Sequence, residues 1–141
     1  MRDMFNQVTP KNCISPQSVA DNTALVGAII DRKDFESLTY LILTGSLGDA
    51  GAEFTVLLEE GDVSNLSDAA AVADADLLGT EALASFIQSD DNKCFKLGYR
   101  GAKRYTRLTI TPTNNATASL IGATALLGFP QSSAPTVNPP A

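Results

Sequence analysis

Histidine and tryptophan are both absent from this chain of 141 residues. Without histidine, the Ser-His-Asp and Cys-His triads, imidazole general bases and His-ligated zinc sites fall away together. Cysteine is nearly absent: Cys13 and Cys94 cannot form a four-thiolate site, and their wide separation is not metal-type spacing. Two idle thiols are expected in a reducing cytosol, with a disulfide between them as the alternative. Long apolar runs are missing as well. The longest, ALVGAII at 24–30, is far short of the ~20 residues that span a bilayer. The opening MRDMFNQVTPKNCISPQ has no secretory apolar segment, so a soluble protein without membrane contact is expected.

Positive charge is missing from a long interval. No Lys or Arg lies between Asp34 and Asn92, whereas Asp34, Glu36, Asp49, Glu53, Glu59, Glu60, Asp62, Asp68, Asp74, Asp76, Glu81, Asp90 and Asp91 do. Lys93, Lys96, Arg100, Lys103, Arg104 and Arg107 then follow closely, in a protein whose net charge is −6. The molecule is expected to be an electrical dipole. Its length, with 44% hydrophobic and 18% charged residues, fits one globular domain with a single core.

Alternation marks the strands. In FTVLLEE (54–60), Phe54, Val56 and Leu58 share one face; in KCFKLGYR (93–100), Phe95, Leu97 and Tyr99 do. RYTRLTIT (104–111) sets Thr106, Leu108 and Ile110 against Tyr105, Arg107 and Thr109. Apolar or Ala-rich stretches at 23–30, 37–44, 82–88 and 116–128, with a short one near 71–78, bring the expectation to about eight strands. Glycines recur too often for long helices, and SNLSDAAAVADADLLG (64–79) reads as a loop with local structure. The expected fold is all-β: an antiparallel β-sandwich or jelly roll over 21–130, with an N-terminal arm at 1–20 and a proline-rich tail at 131–141.

Motifs for chemistry are incomplete. SDDNK (89–93) and EEGD (59–62) lack the full calcium-loop pattern and read as turns. GSLGDAG (45–51) is followed by a strand, which leaves no helix N-terminus for a phosphate, and reads as a hairpin loop. Carboxylates are plentiful, but Glu59, Glu60, Asp74 and Asp76 read as a solvated face; a carboxylate-pair enzyme is the third-ranked function. No catalytic residue, metal or cofactor is expected.

The basic stretch KLGYRGAKRYTRLTITPT (96–113) remains to be explained. Nucleic acid is disfavoured by the acidic total. Lys96, Arg100, Lys103, Arg104, Tyr105 and Arg107 instead suit a protein contact, since Arg and Tyr are frequent interface anchors. The alternative is that such cations neutralise carboxylates on neighbouring strands of the same fold.

VADADLLG (72–79), LGYRGAKRYTRLTIT (97–111) and GATALLGFP (122–130), in this order, resemble the jelly-roll cement, or decoration, proteins of tailed-phage heads. That resemblance implies a non-enzymatic virion protein on the outer surface of the head, kept in the host cytoplasm before assembly. It would clamp the major capsid protein, as a homodimer for preference, with the six basic-stretch residues facing the capsid or the sister subunit. The second reading is a receptor- or glycan-binding β-sandwich module, such as a head fibre or tail-associated adhesin. Three tyrosines and no tryptophan count against an aromatic sugar platform.

Overall fold

A computed structural model describes residues 2–131. The alternating segments pair into two antiparallel sheets. In chain order the strands are β1 (Val8–Val19), β2 (Leu25–Val26), β3 (Ile30–Asp31), β4 (Phe35–Leu47), β5 (Glu53–Gly61), β6 (Ala70–Ala71), β7 (Leu77–Leu78), β8 (Phe86–Ile87), β9 (Cys94–Tyr99), β10 (Tyr105–Thr113) and β11 (Ser119–Pro130). Sheet A has the order β1-β11-β4-β9-β7. Sheet B runs β2-β10-β5-β6, with β3 also pairing β10 and β8 pairing β5. The fold is an antiparallel, jelly-roll-like β-sandwich, and its consecutive long strands mostly cross from one sheet to the other.

The core lies between the sheets, where the period-2 pattern places it. Leu38, Tyr40, Ile42, Leu97, Tyr99 and Leu127 from sheet A meet Phe54, Val56, Leu58, Leu108 and Ile110 from sheet B, all buried. Phe54, Phe86 and Phe95 form a stack with centroids 4.9 and 5.6 Å apart, which links β5 and β8 to β9. Inside the core the Tyr40 hydroxyl lies 2.6 Å from Thr106 Oγ1, a hydrogen bond that crosses from β4 to β10. A buried polar pair of this kind satisfies both hydroxyls and so avoids the cost of an orphaned one.

Several local readings change. Residues 8–19, expected as part of an arm because of Pro10 and Pro16, form the edge strand β1 against β11. An edge strand tolerates proline where no ladder donor is needed, and β1 breaks register between Asn12 and Ile14 and again between Ile14 and Gln17. From residue 132 on, the proline-rich tail lies outside the described residues. The segment 23–30 contributes two short strands rather than one. GSLGDAG is not a hairpin loop: it carries the chain from β4 in sheet A to β5 in sheet B. Asp49 holds that crossing, accepting from Gly51 N and Ala116 N. Among the described residues helix is confined to short turns. The longest, α1 (Glu81–Ala84), is capped by Thr80, whose side chain accepts from Leu83 N.

Candidate functional site

On β10 the odd residues 105–113 point away from the core and the even ones into it, as the burial pattern shows. Their neighbours on β5 follow from the register: Tyr105 faces Gly61, Arg107 faces Glu59, Thr109 faces Leu57, Thr111 faces Thr55 and Thr113 faces Glu53. The outer face of sheet B therefore has Tyr105 at one end and exposed hydroxyls at the other, with the exposed apolar side chains of Val26 and Leu57 on either side of Thr109 and of Ile87 opposite Glu53.

Charge on this face is paired. Arg107 donates from Nε and Nη2 to Glu59 Oε2 at 3.1 and 2.8 Å, a cross-strand ion pair with both partners half-buried. Arg104 donates from Nε and Nη2 to the two oxygens of Asp31 on β3, at 2.9 and 2.7 Å. That fork holds the Asp31 carboxyl below the ordinary carboxylate range. The Arg104 guanidinium also lies 5.0 Å from the Tyr105 ring centroid. The cation that Asp31 orients thus lies over one face of the ring.

The six residues read from the sequence as one contact do not form one surface. Arg104, Tyr105 and Arg107 belong to the sheet B face. Lys103 lies on the β9–β10 connection, where its Nζ pairs with Asp62 at 2.5 Å and its backbone N–H donates to the Tyr99 hydroxyl at 3.0 Å. Arg100, exposed on the same connection, gives its backbone N–H to Asp76 O. Lys96 is exposed on β9, opposite Leu41, on the outer face of the other sheet. Three cations of the stretch, Lys103, Arg104 and Arg107, thus neutralise carboxylates of the same chain, two of them, Asp62 and Glu59, in its acidic interval.

Sequence reasoning missed two partners. Glu59, read as part of a solvated negative face, is the ion-pair partner of Arg107. Glu60 accepts from the Tyr99 hydroxyl at 2.5 Å. The alternation of residues 54–60 and 104–111 is readable in the sequence, but their mutual register is not. Both cysteines are free, with Cys13 buried and Cys94 exposed. Among the described residues no group of three or more His, Cys, Asp or Glu side chains is arranged to hold a metal ion, and no helix is long and apolar enough to cross a membrane.

No family model and no curated protein matches the chain. Among solved structures it is similar to the N-terminal endo-1,4-β-D-xylanase 10B of Clostridium thermocellum, whose CBM22-1 and GH10 modules were crystallised with xylohexaose. The identity is 10% and the TM-score 0.42, over 94% of this chain and 28% of the xylanase chain. This chain therefore spans just over a quarter of that chain's length. The phage-head reading is corrected here: neither family models nor curated proteins supply a phage relative, and the solved structure named above, one of 22 matching chains, is that of a xylanase. Of the segments that carried the resemblance, 72–79 consists of a turn and a short strand, while 97–111 and 122–130 fall largely in β9, β10 and β11. Similar patterns arise wherever a sandwich of this kind is built.

Proposed function

We propose that the chain is a non-enzymatic receptor- or glycan-binding β-sandwich module that takes a polyhydroxylated ligand on the outer face of sheet B. One observation carries this reading: Tyr105, the Arg107–Glu59 pair and, beyond the Thr109–Leu57 position, the exposed hydroxyls of Thr111 and Thr55 share one face of the sheet. A sugar ring offers C–H groups on one side and hydroxyls around its edge. Tyr105 supplies a partly exposed ring for the first. The fixed carboxylate accepts, the guanidinium donates and the threonine hydroxyls do both for the second.

The test is an array of immobilised glycans probed with the full chain and with Tyr105→Ala. Binding to a defined set of glycans that falls at least about tenfold in the variant supports the reading, that being the usual effect of losing a stacked ring. An array without binding, or binding that Tyr105→Ala leaves unchanged, overturns it.

A further inference from the structure

The outer face of sheet A differs from that of sheet B, which carries Glu53 and Glu59, in its carboxylates. Its rows follow from the register of β1, β11, β4 and β9, with Leu78 of β7 beside Gly98 at the margin. One row reads Gly98, Thr39, Leu126 and Pro10; the next Lys96, Leu41, Thr124 and Asn12; the next Cys94, Leu43 and Gly122. Leu43 and Leu120 are 62% and 48% exposed. Two adjoining grooves of about 450 and 340 Å³ run along the face and share Pro16, Leu43 and Gly122. Their floor stays open because a Cβ at Gly45 would stand 2.9 Å from Leu120 Cβ, and one at Gly122 would stand 3.2 Å from Pro16 Cγ.

No carboxylate occupies these register positions, although the chain has 16 Asp and Glu residues. Lys96 is the one charged side chain among the row positions, and on the β1 side stand the uncharged Asn12, Gln17 and Ser18.

We propose that this face is the interface of a homodimer, in which a second copy of the chain covers the groove. Two molecules of net charge −6 repel unless they meet where carboxylates are missing. The outer face of sheet B, with Glu53 and Glu59, does not offer that. A two-fold axis parallel to the strands, between β4 and β11, lays Leu43 and Leu120 of one copy into the groove of the other. It also sets each Lys96 over the amides and hydroxyls of β1 in the second copy rather than over another cation. Size agrees. Strands ~4.8 Å apart and rows ~6.6 Å apart make a footprint of roughly 24 by 20 Å. With side-chain relief this approaches the ~600 Å² per partner at the lower limit of specific interfaces. The interface leaves the outer face of sheet B free in both copies.

Sedimentation velocity of the full chain across a concentration series tests the proposal, with Cys94 alkylation rate as a second reading. The expected result is a reversible monomer–dimer equilibrium in which Cys94, exposed on the groove wall, reacts more slowly at dimeric concentrations. Leu43→Glu introduces one carboxylate per copy at an exposed position and raises the dimer Kd at least about a hundredfold. Leu83→Glu, on α1 at 75% exposure, leaves the Kd within about threefold. Leu120→Glu serves as an independent second site if Leu43→Glu does not fold. A monomer at every concentration overturns the proposal, as does a dimer that both groove variants leave intact.

Discussion

The Tyr40 hydroxyl and Thr106 Oγ1 each have the other as partner in the core, 2.6 Å apart. Tyr40→Phe leaves the threonine hydroxyl buried without that bond, so it is expected to cost about 1–3 kcal/mol in urea unfolding. Adding Thr106→Val removes the orphan, and the double variant recovers part of the loss; simple additivity would show that the pair does not act as a unit. The Asp31 carboxyl gives a pH dependence. Held low by Arg104 in the fold, it binds a proton more readily in the unfolded chain. The stability it contributes is present above the ordinary carboxylate value of 3.8 and disappears as pH falls through the lower folded value. The urea midpoint should therefore drop between about pH 5 and about pH 3, and drop less in Asp31→Asn. Thiol reactivity divides the cysteines: burial pushes the Cys13 thiol up to about 12, so a thiol reagent at neutral pH should modify Cys94 and reach Cys13 only on unfolding.

At the scale of elements, legibility followed chemical contrast. In β5, β9 and β10, apolar and polar residues alternate, and the inward faces read from the sequence (Phe54, Val56, Leu58; Phe95, Leu97, Tyr99; Thr106, Leu108, Ile110) are those that face the core. β11 was harder, because its inward Ala123 and Ala125 and its outward Leu120 and Leu126 blur the contrast. Those alanines are small for a reason: Ala125 pairs with Tyr40 and Ala123 with Ile42 on the adjacent strand. Ala125→Val should overpack that position and destabilise the fold by about 1–3 kcal/mol, measured as a lower denaturant midpoint at unchanged slope. β1 was hidden by Pro10 and Pro16, since local propensity does not reveal that a strand lies at a sheet edge. The candidate site shared this limit. Tyr105 and Arg107 were readable as outward residues, whereas the carboxylate awaiting Arg107 lay 48 positions away, at Glu59.

For the whole molecule, the uneven charge along the chain becomes an internal arrangement. Lys103, Arg104 and Arg107 return to Asp62, Asp31 and Glu59, so part of the basic stretch is turned to neutralisation within the fold. What distinguishes the surface is the contrast between two outer faces. Sheet B offers hydroxyls, an ion pair and a tyrosine beside the exposed Val26, Leu57 and Ile87; sheet A offers leucines around an open groove, without a carboxylate in its rows. The central claim, that the first of these is the ligand face, is tested most directly by backbone amide NMR during titration with a glycan selected on the array. The account predicts that the amides of Thr55, Glu59, Tyr105, Arg107 and Thr111 shift together and saturate, while those of Leu43 and Leu120 stay still. Shifts confined to the sheet A face, or spread over neither face, would contradict it.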